Sequence, residues 1–415
     1  MHPTMFRIPF LPEWLADIKS YGVMMMIAFL TGIWLACRRA EKVQANPDIV
    51  LNLGFIALVG GVIGSRAMYV LHYWNERFAN QDHPFLSIFD IRAGGLEFYG
   101  GPLLVIPAVA LYTRYIAKAS IRWYLDITMP SLAWGLAITR IGCFLNGCCW
   151  GAICVDAHDP AHERAAVPWA VRFPYGSPAM AQHYQFGERV IPKELIYVLP
   201  TGESIPLPRD YLEAAVADDG GTLAELTRQR AAAHERLEAA VKSGADEAAQ
   251  RPLRARLEQA EQALARYHTG SPAALARQQA ERFGLTPRQL ADLAASYRSK
   301  PVHPTQLYET VTGLLLCWLL TRLFYYRERH GIIGAWFLIL YAVARFLLEL
   351  LRQDNPLDVG GLTISQAISL GTFLTGWLWL YVVHYRLPPI SPRAAPVVYE
   401  EAPPEKSPPR RKARG

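Results

Sequence analysis

The chain has 415 residues, of which 52% are hydrophobic and 19% charged, with a formal net charge of +6. Its apolar residues are gathered into blocks, several approaching the roughly 20 residues a helix needs to cross a hydrocarbon core, which excludes an ordinary soluble enzyme. The positive balance sits in short loops, one long central segment and the tail without a nucleic-acid motif, which argues against nucleic acid as a partner.

Residues 1–20 are rich in proline and aromatic side chains and lack the basic start and small-residue cleavage site of a signal peptide, so they are expected to lie at the interface. A first span is predicted from Tyr21 to Cys37 and stops at Arg38, Arg39 and Lys42, which places its C-terminal end in the cytoplasm. A second, Ile49 to Tyr73, carries Gly60, Gly61, Gly64 and Ser65, small residues that let helices approach closely, followed at once by Arg66. Spans from Tyr99 to Ile116 and Trp123 to Asn146 follow, separated by Arg114, Lys118 and Arg122. Leu307 to Tyr325, Ile332 to Leu351 and Ile364 to Tyr385 complete seven. The expected architecture is an all-α integral membrane protein of seven transmembrane helices, N-terminus outside and C-terminus cytoplasmic. Helices 1–4 occupy residues 21–153 and helices 5–7 residues 302–386, with a basic, disordered cytoplasmic tail over 387–415.

Residues 154–301 read as an extracytoplasmic insert. Leu223, Leu226, Leu237, Leu253, Leu257 and Leu264 recur at helical spacing, and Gly244 lies between the two stretches, which predicts a charged helical hairpin. Ser271-Pro272 and Thr286-Pro287 are start signals for two more helices, with Gly284 a stop before the second.

Three polar constellations interrupt the apolar runs on the expected outer side. Gly94-Gly95-Leu96-Glu97-Phe98-Tyr99-Gly100-Gly101 suits either a re-entrant loop or an interfacial loop anchored by Tyr99. Arg140 and Asn146 close an apolar run, and an ionisable residue at that depth marks a site. Arg345 and Glu349 stand four apart on one helix face. They form either an internal ion pair or, with Arg140, a two-arginine clamp for phosphate. Among the cysteines, Cys37 and Cys317 read as packing residues in spans, whereas Cys143, Cys148, Cys149 and Cys154 cluster. A disulfide from Cys148 or Cys149 to Cys154 is the expected pairing. No histidine or acid stands at zinc-ligand spacing beside them, so no metal is expected, and C-x-x-C redox spacing is absent.

Together these stretches resemble the prolipoprotein diacylglyceryl transferase family. The resemblance runs through Tyr21-Gly22, Gly64-x-Arg66, Gly94 to Gly101, Asp126 to Gly151, Pro168 to Pro174, His303 to Glu309, Arg345 to Asp354 and Ser365-Gln366, in the family's order. It implies a multi-pass enzyme of the bacterial inner membrane that moves the diacylglyceryl group of phosphatidylglycerol to the lipobox cysteine thiol of a prolipoprotein. A thioether forms, glycerol phosphate is released, and no cofactor is needed. It also implies that Arg140 and Arg345 stabilise the departing phosphate, that Glu349 orients Arg345, and that Tyr99 belongs to the catalytic set. The substrate-binding residues it implies are Tyr21, Arg66, Gly94, Gly95, Gly100, Gly101, Asn146, Gly147, Gly151, His303, Gln306, Tyr308 and Glu309.

Three features depart from the family pattern. Tyr99 stands where a histidine is common, and a phenol with an unperturbed pKa of about 10 is a weaker base. Cys143 and Cys148 stand where an asparagine and a glutamate are usual, and the insert is longer than the usual connection. These departures leave two alternatives, a lipid- or lipoprotein-binding member without the activity or with another acceptor, and a thiol-disulfide membrane enzyme. Oligomeric state is left open by the sequence.

Overall fold

The computed structural model describes residues 4–7, 17–79, 84–89, 95–156, 163–199, 202–218, 221–243, 247–352 and 361–391. Thirteen helices of eight or more residues run through them in chain order: α1 (Ser20–Lys42), α2 (Pro47–His72), α3 (Gly100–Leu111), α4 (Ile121–Asn146), α5 (Pro178–Gln185), α6 (Arg209–Asp218), α7 (Gly221–Lys242), α8 (Glu247–Gly270), α9 (Pro272–Arg282), α10 (Pro287–Ser296), α11 (Thr305–Tyr326), α12 (Ile332–Glu349) and α13 (Ile364–Tyr385). Two short antiparallel hairpins, Thr4–Arg7 with Asp17–Lys19 and Ile196–Val198 with Ser204–Pro206, are the only strand ladders among the described residues.

Among the described residues six helices, α1, α2, α4, α11, α12 and α13, are long and apolar enough to cross a membrane, as expected of an integral membrane protein. The third expected span coincides with an apolar helical segment, Gly100–Ile116, that is shorter than the six long helices. It begins at Gly100, with Tyr99 left outside as the capping residue, and its 12 α-helical residues pass into a wide turn over Tyr112–Ile116. Lys118 then takes φ 49, which a helix cannot continue through.

The chain divides into two compact units, one of Cys143–Thr305 with Leu351–Asp354 and the other of Thr4–Gly142, Gln306–Leu350 and Asn355–Gly415. In the second unit the buried core joins Ala36, Ala40 and Leu53 to Trp123, Ile127 and Ala133 of α4 and to Leu320, Phe324, Ile333 and Phe337. Helices α2 and α3 cross at Gly64 and Gly100, where a Cβ on either would run into the other's carbonyl oxygen. The start of α12 is fixed by one carboxylate. Asp126 of α4, fully buried, accepts the backbone N–H groups of Gly331 (2.7 Å), Ile333 (2.9 Å) and Gly334 (3.1 Å). These are donors that a helix start cannot satisfy internally. Arg327 Nε pairs with the same carboxylate at 3.1 Å while its guanidinium lies 3.7 Å from the Phe324 ring centre.

The first unit has a core of its own, in which Tyr175, Met180, Leu195, Leu207, Leu212 and Leu290 are buried together. The Tyr175 hydroxyl donates to the Leu207 carbonyl at 2.8 Å, so the one polar atom of that side chain is satisfied inside the cluster. Helices α9 and α10 start at Pro272 and Pro287 as the sequence predicts, the second with a capping box between Thr286 and Gln289. Helices α7 and α8 pack against one another, and the six leucines expected to face each other are half-buried. Two helices alone leave such a seam partly open. Gly244, expected between them, lies outside the described residues.

Two predictions follow from buried polar groups. Asp126→Ala leaves Arg327 buried without its partner and the first turn of α12 without its acceptor, so stability should fall by about 3–5 kcal/mol in a denaturation series in detergent. His183 is 2% exposed and its Nδ1 accepts the Lys300 N–H at 3.3 Å; burial, with the nearby charges of Lys300 and Arg189, holds the imidazole down to about 4. An unfolded histidine titrates near about 6.5, so the unfolded chain binds the extra proton first and stability is lost as pH falls from about 6.5 toward 4. His183→Asn keeps an acceptor at that position without a titrating ring, and should flatten the melting temperature against pH over that window.

Candidate functional site

In the second unit, four ionised side chains from three helices converge. Arg140 stands near the end of α4, Glu309 in the first turns of α11, and Arg345 and Glu349 one turn apart on α12. Glu309 bridges the two arginines: one carboxylate oxygen pairs with Arg140 Nε, and the other accepts from Arg345 Nη1 at 2.9 Å. Arg345 Nη2 meets Glu349 Oε2 at 2.8 Å and donates to Ser365 Oγ at 3.1 Å. Glu349, whose side chain is fully buried, accepts the Thr363 hydroxyl at 3.1 Å through its other oxygen. That hydroxyl also accepts the Gln366 N–H, the cap that starts α13. Four elements are thus tied through one polar chain.

The set holds two positive and two negative groups and is neutral, the arrangement a poorly solvated region demands, since one uncompensated ion there costs several kcal/mol. A guanidinium carries five donors in a planar fork.

Arg140, Glu309 and Arg345 line a cleft whose other walls are Ala133, Leu136, Thr312, Gly313, Leu316, Tyr341, Ala344 and Leu348. Helices α4 and α11 come close enough there that a Cβ on Gly313 would stand 2.9 Å from the Ala137 Cβ. The cleft is narrow, about 30 Å³, and its walls beside the paired arginines are mostly aliphatic.

The other expected site residues are spread more widely. Tyr99, Arg66 and Tyr21 do not line the cleft. Arg66 is 9% exposed and spends its guanidinium on main-chain carbonyls, Nε on Ile88 (2.7 Å), Nη2 on Ser87 (2.9 Å) and Nη1 on Gly95 (3.0 Å), so it organises the loop before α3. Tyr99 is exposed and stacks edge-on against Phe98. Gly100 and Gly101 are buried in the first turn of α3, Tyr21 packs against Gly142, and Gly94 lies outside the described residues. Gln306 is fully buried and Tyr308 half-buried, both at the start of α11.

Asn146, Gly147, Gly151 and His303 belong to the first unit. The Gly151 N–H donates to the His303 carbonyl at 2.9 Å, and a Cβ on Gly151 would stand 2.7 Å from Thr305 Cγ2, so only glycine lets these segments meet. The Asn146 side chain hydrogen-bonds Cys148. The disulfide expected from Cys148 or Cys149 to Cys154 is not formed, and all six cysteines are thiols. Instead the sulfurs of Cys143, Cys148 and Cys149, three of the four cysteines that cluster in the sequence, gather within 4.8 Å of one another.

Sequence reasoning missed the bridging position of Glu309 and the parts of Thr363, Ser365 and Tyr341. A signal existed for the first: two arginines in apolar runs need acids, and Glu309 and Glu349 are the acids within the apolar helices that follow the insert. Thr363-x-x-Gln366 before an apolar run is a capping box, and it places Ser365 in the first turn of α13.

A family model described as prolipoprotein diacylglyceryl transferase matches residues 6–205 and 260–382, leaving out much of the α7–α8 hairpin. A phosphatidylglycerol–prolipoprotein diacylglyceryl transferase of Aliivibrio salmonicida is 37% identical over 163 residues, 39% of this chain and 52% of its own. Proteins of the same name from Pseudoalteromonas translucida and Rhodopirellula baltica are 36% identical over 169 residues (40% of this chain, 57% of the relative) and 30% identical over 174 residues (41% and 33%). The chain thus spans about half the length of the first two relatives and a third of the last.

If Glu309 neutralises both arginines, Glu309→Gln should destabilise the protein by about 3–5 kcal/mol. A double-mutant cycle with Arg345→Met should then return a coupling of about 1–3 kcal/mol, read from denaturant midpoints in detergent.

Proposed function

Because the chain belongs to the prolipoprotein diacylglyceryl transferase family, we propose that it transfers the diacylglyceryl group of phosphatidylglycerol to the lipobox cysteine thiol of a prolipoprotein. The sulfur–carbon bond of a thioether forms at the glycerol carbon as the carbon–oxygen bond to phosphate breaks, the thiol proton leaves to solvent, and glycerol phosphate departs with the bonding electron pair. The observation that carries this reading is the Glu309-bridged pair of Arg140 and Arg345 beside an apolar cleft. The headgroup phosphate exchanges with Glu309 for guanidinium donors, and the acyl chains lie along the aliphatic wall. Both arginines then face negative charge that grows on the leaving group, where preorganised donors lower the barrier most. Glu349 and Ser365 keep Arg345 in place while Glu309 yields.

The α3 segment, Gly100 to Ile116, serves as a seventh crossing, which puts the N-terminus outside and the C-terminus inside. Arg38, Arg39 and Lys42, then Arg114, Lys118 and Arg122, then Arg327 and Arg329, and last Arg386, all fall on the cytoplasmic side in that orientation. The first unit's insert is then extracytoplasmic, in the inner membrane of a bacterium.

Purified full-length protein with phosphatidylglycerol vesicles and a lipobox peptide should give a thioether product detectable by mass spectrometry. Arg140→Ala or Arg345→Ala should lower turnover by a factor of about 100 to 1,000, the range for loss of one group that stabilises developing charge. No product under conditions where an active relative gives one would refute the transfer, and turnover unchanged in both arginine variants would refute the phosphate clamp.

A further inference from the structure

Three sulfur atoms meet where α4 ends, and the main chain puts them there. The helix closes through Gly147 at φ 77, with the Cys148 N–H returning to the Cys143 carbonyl at 3.2 Å and the Gly147 N–H to the Phe144 carbonyl at 3.2 Å. This is the paired closure of a Schellman ending, which requires a left-handed residue and so favours glycine. It turns Cys148 back toward Cys143, whose carbonyl lies 3.7 Å from the Cys148 sulfur. Cys149 then takes φ 62, uncommon outside glycine, and its carbonyl is held by the Thr305 hydroxyl at 2.8 Å. As a result the three Sγ atoms all lie within 4.8 Å of one another, Cys143 buried and Cys148 and Cys149 half-buried.

We propose that Cys143, Cys148 and Cys149 form a three-thiolate site for zinc, with the fourth coordination position open to a thiol from outside the chain. Tetrahedral zinc with Zn–S bonds of about 2.3 Å needs sulfurs roughly 3.8 Å apart, so sulfur displacements of up to about 1 Å close the set. Sulfur ligands select zinc or softer ions over magnesium and calcium, which take oxygen. Three protein ligands rather than four is the pattern of a zinc site that binds a substrate. A thiol entering the fourth position displaces water, forms a Zn–S bond and releases its proton to solvent, so it is held as thiolate. That is the form in which a sulfur attacks carbon. Naming the lipobox cysteine as the entering thiol rests on the transferase reading; zinc binding itself does not.

The test uses full-length protein in detergent, reduced and stripped of metal. Expected results are one zinc retained per chain after dialysis and a cobalt(II) complex with thiolate charge-transfer absorption. Lipobox peptide, but not its Cys→Ser form, should change the cobalt d–d bands. Zinc should protect Cys143, Cys148 and Cys149 from maleimide, read by peptide mass spectrometry, while leaving the labelling of Cys154 unchanged, a measurement that needs no variant. Cys148→Ser with Cys149→Ser should weaken zinc binding at least tenfold, and Cys317→Ser should not. No retained zinc, equal binding by the double variant, or a disulfide among the three cysteines in the protein as isolated would overturn the site. Zinc and peptide binding without lipid transfer would count against the transferase reading alone, whereas full transfer by protein that binds no zinc would count against the zinc site alone.

Discussion

The carboxylate of Glu309 is what allows two arginines to coexist at the end of an apolar cleft. Each guanidinium alone is an ion with little water to solvate it, and two side by side repel. With Glu309 between them and Glu349 behind Arg345, the set is neutral, and helices α4, α11 and α12 and the start of α13 are held in register by it. The same arrangement defines what can replace Glu309: an anion whose oxygens reach both forks at once. The walls beside the two arginines are mostly aliphatic.

A second carboxylate, Asp126, plays the corresponding part at the start of α12, where it takes three backbone donors and one arginine. Helix α12 is therefore pinned through an acid at its first turn and another, Glu349, at its last. A helix fixed at both ends carries Arg345 with little freedom, as a group acting by electrostatic preorganisation requires.

The membrane helices were legible in the sequence because lipid tolerates few alternatives: a spanning segment must be apolar, and its basic flanks mark where it leaves the bilayer. Helix starts in the insert were legible for a local reason, since Ser-Pro and Thr-Pro report on the next turn alone. The third apolar segment was placed to within one residue because hydropathy runs on through Tyr112–Ile116, where the helix widens but continues. Arg140 and Arg345 were conspicuous in the sequence by their depth in apolar runs. Their shared partner was not, because hydrophobic periodicity says nothing about which distant acid a charge will meet. The acceptors of Arg66 were hidden for a similar reason, being main-chain carbonyls that no side-chain pattern reveals. The meeting of three sulfurs depends on the left-handed conformations of Gly147 and Cys149, and only the first has a residue preference that can be read in advance.

The central claim is that Arg140 and Arg345 together receive the phosphate of a membrane lipid. A structure of the protein in lipid nanodiscs containing phosphatidylglycerol tests this most directly. The account predicts a lipid phosphate within hydrogen-bond distance of both guanidinium groups, with Glu309 displaced from at least one of them and the acyl chains along Leu136, Leu316 and Leu348. A lipid phosphate bound elsewhere, with Glu309 still bridging both arginines, would contradict it.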